Sequence, residues 1–253
     1  MFQPSLMSIQ ITKRDGTKEP FNADKINRSI ERAAHGLLDP ISKVIQVATE
    51  TRLTLYDGIT TEEMDKATIN AAIQNVQHDP EYDKSATRLL LKIVYKKILG
   101  DYEDDQKVLD RKHRDYFPTY VEEGVKNGRL DRRMVEKYDL KELSRTLDIG
   151  RDELFQYAGL SGLLDRYSIK NEKQEAMESP QYFFMRVAMG LSYNEEDPTK
   201  WAKLFYHKMS KHDFITGGSC CLGAGTTRPA LSNCFLLQVE DDIDDSVFGH
   251  HLA

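Results

Sequence analysis

The hydrophobic pattern of the first hundred residues predicts a hairpin followed by four helices. Two short β-forming runs, Ser8–Thr12 and Thr17–Phe21, flank an Asp15-Gly16 step. This step favours a hairpin, because Gly accepts a positive φ and Asp caps its own backbone. Behind a predicted N-cap at Asn22, apolar residues recur at helical spacing. The first predicted helix carries Ile26, Ile30, Ala33, Ala34 and Leu37 on its apolar face, and the second spans Ile41–Leu55. The third begins behind a Thr61 cap and carries Met64, Thr68, Ala71, Ala72 and Val76. The fourth carries Ala86, Leu89, Leu90, Ile93, Val94 and Ile98.

The pattern changes after the fourth predicted helix. Asp101–Gly128 is polar and charged, which predicts a connecting segment, whereas Leu130–His212 has helical periodicity almost throughout. Within it, Pro180–Ser192 and Lys200–Ser210 carry the clearest apolar stripes. A glycine-rich stretch follows, and then Ser232–Glu240 predicts a mostly buried strand. The pattern as a whole predicts a mainly α (α+β) protein.

Composition narrows the function classes. A net charge of −6 and a pI near 5.7 argue against a general nucleic-acid binder, which is normally basic. No apolar run approaches the roughly 18 residues of a membrane span, and the N-terminus lacks the basic and apolar regions of a signal peptide. Three cysteines, two of them adjacent, make no disulfide framework. We therefore expect a cytoplasmic protein.

The basic residues around the predicted hairpin suggest a phosphate site. Lys13, Arg14 and Lys25 would lie close to the free amides at the start of the first helix. Cationic side chains and helix N-termini together suit a polyphosphate. The alternative is a solvated basic edge of the hairpin. Lys96 is uninformative by itself, since a lysine near a helix C-terminus commonly complements the helix dipole.

Three separated parts of the chain carry recognisable motifs, in this order: Ile11–Gly16 with Phe21–Ile26; Glu153–Tyr157, Leu164–Tyr167, Glu178–Gln181 and Phe184–Gly190; and Gly223–Thr226 with Leu231–Leu236. The first part resembles an ATP-cone domain. The second resembles the helical N-terminal region of the class I ribonucleotide reductase large (α) subunit, and the third the first strand of that enzyme's barrel. The resemblance covers nearly the whole chain.

The family resemblance implies a fold of three parts. Residues 1–100 would form the ATP-cone, a β-hairpin capped by four helices. Residues 101–212 would form the helical domain of the reductase. Residues 213–253 would begin the ten-stranded α/β barrel, which is truncated here. The implied activity is that of a ribonucleoside-diphosphate reductase, an oxidoreductase that replaces the ribose 2′-hydroxyl by hydrogen and supplies deoxynucleotides for DNA replication.

The same resemblance implies an allosteric site for ATP or dATP in the first domain. Its triphosphate would be bound by Lys13, Arg14, Lys25 and Lys96. Glu19 and Asn22 would recognise the adenine edge, and Thr61 would lie beside the nucleotide. Family members often carry a histidine near the ribose one helical turn after this threonine, where the present chain has Asp65. The chain therefore departs from the family at the position that bears on discrimination between ATP and dATP.

A second site is implied near the C-terminal motifs. Cys234 would be one of the two cysteines that reduce the ribose, although a lone cysteine in an apolar strand is more commonly an inert core residue. Ser232 and Asn233 would approach the substrate. Asp241 corresponds to an acidic residue of the family's specificity-effector site, or is an ordinary exposed turn residue.

No metal site is predicted in the chain. The candidate zinc ligands have neither CxxC nor HxxxH spacing, and they are His207, His212, Cys220, Cys221 and Cys234. We interpret Cys220 and Cys221 as small loop residues. The metal centre is expected in the separate small subunit of the enzyme.

The expected partners follow from the parts of the family pattern that this sequence does not contain. They are a C-terminal large-subunit fragment, the radical-generating small subunit, and thioredoxin or glutaredoxin acting through the missing C-terminal tail. On this interpretation the chain is an incomplete large subunit that is not catalytic alone. Two alternatives stay open, namely a non-catalytic ATP/dATP-sensing regulatory module and a decayed fragment without function.

Overall fold

The N-terminal hairpin forms as predicted. The computed structural model describes residues 9–234 and Leu236. Strands β1 (Gln10–Thr12) and β2 (Lys18–Pro20) pair antiparallel, with Ile11 opposite Glu19. Gly16 takes a φ of +82°, a conformation that glycine adopts without a steric penalty, and the Asp15 carboxylate accepts hydrogen bonds from the Thr17 amide and hydroxyl. The Asp-Gly step therefore forms the turn by the mechanism expected from its chemistry.

Four helices pack behind the hairpin around a shared apolar core. Their inner faces bury Ile26, Ile30, Val47, Ile69 and Leu89. The helical spacing had indicated Ile26, Ile30 and Leu89 among these. A smaller cluster of Ile9, Ile11 and Ile59 lies beneath the hairpin. The helices are α1 (Ala23–Ala34), α2 (Pro40–Leu53), α3 (Thr61–Gln74) and α4 (Tyr82–Leu99).

Two of these helices, α1 and α3, have N-caps that were predicted from the sequence. Asn22 is the N-cap of α1, as predicted, and its side chain accepts from the Asp24 amide at 2.9 Å. The predicted Thr61 cap of α3 is wrong, because Thr60 is the N-cap. The Thr60 hydroxyl accepts from the Glu63 amide at 3.2 Å, and the Glu63 carboxylate accepts from the Thr60 amide at 2.9 Å. This reciprocal capping box satisfies two amides that would otherwise lack partners, which fixes the start of the helix one residue earlier.

The predicted connecting segment after Gly100 is also wrong. It contains α5 (Gln106–Lys126), which begins behind an Asp105 N-cap. The buried residues Leu109, Phe117 and Val121 recur at helical spacing, but most of the exposed side chains of the helix are charged. The average composition is therefore polar although one face of the helix lies in the core.

The remaining helices form a second and larger core. Pro180–Ser192 and Lys200–Ser210 are helical as predicted, and the first of them is buried on all sides. Helix α4 contributes Leu91, Val94 and Tyr95 to this core as well as Leu89 to the first one. The elements are α6 (Arg133–Glu136), α7 (Leu140–Ser144), a 3₁₀ helix (Ile149–Leu154), α8 (Tyr157–Gly162), a π-helical turn (Leu163–Tyr167), α9 (Pro180–Leu191), α10 (Pro198–Ser210) and α11 (Gly218–Gly223).

The C-terminal motif is described only in part. Residues 231–234 form no strand in the structure and their side chains are exposed. Most of the predicted strand, and Asp241 with it, lies outside the described residues, so the start of the barrel stays a prediction. Within the described part of the chain, no helix is long and apolar enough to cross a membrane.

Candidate functional site

An open pocket of about 480 Å³ lies between the hairpin and helices α1, α3 and α4. Its walls carry five basic and three acidic side chains, a positive excess in a chain whose net charge is −6. Three apolar side chains, Ile26, Met64 and Leu89, complete the lining on the side of the helices. Six residues that the sequence analysis assigned to a nucleotide site line this pocket, namely Lys13, Arg14, Glu19, Lys25, Thr61 and Lys96.

Asn22 is the one member of the predicted effector set that does not line the pocket. Its side-chain oxygen is engaged by the Asp24 amide at the start of α1. The structure thus gives Asn22 a capping role, which holds α1 in place beneath the hairpin. Contact of Asn22 with an adenine ring stays a prediction.

The hairpin end of the pocket is an ion cluster centred on Glu19. Lys13 Nζ and Lys25 Nζ each lie 2.9 Å from a different carboxylate oxygen of Glu19. The two lysines lower the pKa of Glu19, and the hydrogen bond to Glu19 raises the pKa of Lys13. Glu19 and Lys13 are therefore charged near neutral pH. A bound phosphate would be a competing acceptor for the same two ammonium groups.

Helix α4 adds a cation that the sequence analysis missed. Lys92 and Lys96 are four residues apart, so both project from one face of the helix into the pocket. Lys92 Nζ donates to the Ser29 hydroxyl on α1 at 2.7 Å, and burial lowers the Lys92 pKa. The sequence signal that could have indicated Lys92 is its spacing of four residues from Lys96, which places both lysines on one face of a helix. The proximity of Lys92 to the hairpin depends on how α1, α3 and α4 pack together.

Asp65 occupies the α3 side of the pocket, one turn after Thr61. Its side chain is half-buried, and burial raises the pKa of the carboxyl group, while the positive charges of Lys92, Lys96 and Arg14 act in the opposite direction. The pocket therefore combines basic groups suited to phosphates with an acidic group among them.

The residues predicted near the substrate lie far along the chain from this pocket. Asn233 Oδ1 accepts from the Ser219 amide and hydroxyl, each at 3.0 Å, and Cys220 Sγ donates to the Leu231 carbonyl at 3.1 Å. These bonds hold the segment before Cys234 against α11. Cys234 is exposed, and all three cysteines are free.

Across residues 9–234, no group of three or more His, Cys, Asp or Glu side chains could hold a metal ion. The dispersed candidate zinc ligands of the sequence are thus not gathered into such a site in this part of the chain. Ser232, like Cys234, has an exposed side chain.

Comparison with known proteins identifies both halves of the fold. Residues 9–97 match the family model of the ATP cone domain, and residues 153–229 match that of the ribonucleotide reductase all-alpha domain. The chain carries an ATP cone domain followed by a ribonucleotide reductase all-alpha domain. The ATP-cone match comprises the hairpin and α1 to α4 up to Lys97, and therefore contains every residue of the pocket. The all-alpha match extends past residue 212, and the predicted domain boundaries stay predictions.

Relatives match almost the whole chain. A ribonucleoside-diphosphate reductase subunit alpha from Chlamydia trachomatis is 32% identical over 238 residues, covering 93% of this chain and 22% of the relative. Its counterpart from Helicobacter pylori is 32% identical, covering 93% and 29%. Ribonucleoside-diphosphate reductase 1 subunit alpha from Escherichia coli is 29% identical, covering 94% and 30%. The chain thus corresponds to the N-terminal region of large subunits and spans less than a third of their length.

Proposed function

We propose that the pocket of the ATP-cone is an allosteric site for ATP or dATP in a ribonucleoside-diphosphate reductase large subunit. The observation that carries this proposal is the convergence of five basic side chains, from the hairpin, α1 and α4, on one pocket. A triphosphate is the common metabolite group with enough negative charge to engage several of them at once. The apolar side chains of the lining offer a surface for a base.

Binding would rearrange the ion cluster at the hairpin. Phosphate oxygens would replace the Glu19 carboxylate at Lys13 and Lys25, which now hold it at 2.9 Å. Glu19 would then be free to accept from donors of the nucleotide. Such a site regulates an enzyme only if the effector binds one assembly more tightly than another. We propose that ATP favours the active assembly and dATP an inhibited one.

The reaction we propose for the complete enzyme is reduction of ribonucleoside diphosphates. Cys234 would supply one of two redox-active thiols, with Ser232 and Asn233 near the substrate and Asp241 at a specificity-effector site. The partners would be the C-terminal part of the large subunit, the radical-generating small subunit and thioredoxin or glutaredoxin, in the cytoplasm. The match to the all-alpha domain supports this function over a non-catalytic nucleotide-sensing module, for which the ATP-cone would suffice.

Calorimetric titration of ATP into the chain tests the site. We expect Lys13→Ala and Lys25→Ala each to weaken ATP binding by roughly tenfold or more, because each removes a charge-assisted hydrogen bond. Lys18→Ala is the matched control, since Lys18 is an exposed hairpin lysine that does not line the pocket. Unchanged affinity in both pocket variants would show that the phosphates bind elsewhere.

A further inference from the structure

A second basic pocket, of about 350 Å³, lies between helix α5 and the short helix α7. Its walls carry four cationic and two acidic side chains, an excess of two positive charges in a chain whose net charge is −6. All six residues lie between the two segments that the family models match. This α5–α7 pocket shares no residue with the pocket of the ATP-cone. Its cations are Arg111, Arg114, Lys141 and Arg145, and its acids are Asp110 and Asp115.

Helical spacing brings the cations to the α5–α7 pocket. Arg111 and Arg114 are three residues apart on α5, and Lys141 and Arg145 are four residues apart along α7 and its C-cap, so each pair lies on one face of its helix. The two helices pack against each other, and Leu143 of α7 is fully buried in the larger core. The four cations are therefore carried by packed helical backbone rather than by a loop.

Most of the donors of these cations are not used within the protein. No ion pair joins Arg111, Lys141 or Arg145 to another residue in the described part of the chain. Arg114 contacts the Asp110 carboxylate through one terminal nitrogen at 2.9 Å, but its Nε is buried and has no hydrogen-bond partner among the described residues. A guanidinium group only donates, and a buried donor without an acceptor costs free energy. An anion in the α5–α7 pocket would supply the missing acceptors.

The number and type of the cations favour a phosphate group as this anion. Three of the four are arginines, whose planar fork binds phosphate oxygens in pairs. A phosphomonoester offers three outer oxygens and a charge of about −1.5 to −2 at neutral pH, which balances the positive excess, whereas a carboxylate offers two oxygens and one charge. Asp115 is exposed, so solvent screens its repulsion of an anion.

We propose that the α5–α7 pocket binds a small molecule through a phosphate group of that molecule. The pocket volume lies within the usual range for small-molecule sites, about 300–1,000 Å³. The inference does not depend on the proposed function, because the two pockets are formed by different residues.

Calorimetric titration of inorganic pyrophosphate into the whole chain tests this site. The chain would carry Lys13→Ala and Lys25→Ala to weaken binding at the pocket of the ATP-cone, and about 0.15 M KCl would screen exposed charges. In this background we expect Arg111→Ala and Arg145→Ala each to raise the Kd for pyrophosphate by about tenfold or more, because each removes a charge-assisted hydrogen bond. Both side chains are exposed, so we expect both variants to fold.

Arg132→Ala is the matched control. It removes the same charge from a nearby position, but Arg132 is paired with Glu136 and does not line the α5–α7 pocket. We expect this variant to keep the Kd of the background chain. Malonate, which carries two carboxylates in place of two phosphates, should bind the background chain at least about tenfold more weakly than pyrophosphate, because it offers fewer oxygens and less charge.

Four outcomes would overturn the proposal. No binding of pyrophosphate to the background chain would show that the site does not exist. An unchanged Kd in both pocket variants would show that pyrophosphate binds elsewhere. A loss in Arg132→Ala equal to that in the pocket variants would show that only the overall charge of this region matters. Equal affinity for malonate and pyrophosphate would show that the phosphate group is not recognised.

Discussion

Replacing Glu178 by Gln would remove the negative charge from the most deeply buried ion pair among the described residues. Glu178 and Arg186 are both fully buried, and Arg186 Nε lies 2.6 Å from Glu178 Oε1. The carboxylate also accepts from the Tyr120 hydroxyl and from the Ile169 amide at 2.9 Å. Gln keeps the shape of Glu178 but leaves the guanidinium without a counter-charge and presents an NH₂ group where only acceptors fit.

The loss in free energy of unfolding depends on the hydrogen-bond acceptors that would remain around Arg186. Breaking a buried pair from one side costs about 3–5 kcal/mol, because the remaining charge stays in the core. Arg186 also donates to the backbone carbonyls of Ala224 at 2.6 Å, Cys221 at 3.1 Å and Tyr167 at 3.2 Å. These three acceptors offset part of the loss, so we expect a value near the lower limit, about 3 kcal/mol.

Urea unfolding followed by the fluorescence of Trp201, the single tryptophan, measures this effect. Trp201 lies in α10, which packs against the helix that carries Arg186. Glu142→Gln is the control, since its pair with Lys203 is partly exposed and should contribute about 0–1 kcal/mol. With a slope of about 1–3 kcal/mol per molar urea, Glu178→Gln should lower the midpoint by roughly 1 M or more. A loss no larger than that of the control would refute the reasoning.

Two further predictions concern pH and capping. Burial raises the pKa of Asp152 from its ordinary value of 3.8 to about 7. Between these two pH values the folded chain therefore holds a proton that the unfolded chain has released. The contribution of Asp152 to stability is thus complete below about pH 4 and is lost as the pH rises through about 7. Between these pH values, the free energy of unfolding of the natural chain minus that of Asp152→Asn should fall by up to about 1.4 kcal/mol per pH unit. A difference that stays constant with pH would contradict this prediction. Thr60→Ala should cost about 1 kcal/mol in urea unfolding and Thr61→Ala clearly less, whereas the reverse order would contradict the capping box.

The parts of the site that local rules govern were predictable from the sequence. The Asp15-Gly16 step sets the hairpin turn, and the turn sets the separation of Lys13 from Glu19 across the two strands. Asn22 then begins α1 close to the hairpin, which brings Lys25 to the same carboxylate. Short-range chemistry was therefore enough to place one end of the pocket.

The other end of the pocket depends on tertiary packing. Periodicity shows that Lys92 and Lys96 share a face of α4, but it does not show which helix that face meets. The contact of Lys92 with Ser29 requires the observed packing of α1 against α4. Helix α5 was missed for a related reason, because its charged outer face outweighs the apolar stripe in any average over the segment. The buried pair of Glu178 and Arg186 lies within motifs that the sequence displayed, yet only the packed core shows that the two charges meet.

Helix α4 joins the pocket behind the hairpin to the all-alpha domain. Leu89, Lys92 and Lys96 line the pocket, while Arg88, on the same helix, donates to both oxygens of Glu153, each at 3.0 Å from its Nε. The same guanidinium donates to the carbonyls of Ala33 and His35 at the end of α1. Since packed helices move largely as rigid units, displacement of α1 relative to α4 would stretch or break these bonds. Arg88 thus links α1 and α4, two helices that line the pocket, to Glu153, the first residue of the all-alpha match. A rearrangement of the pocket that shifts α1 would therefore also alter the contact between Arg88 and Glu153.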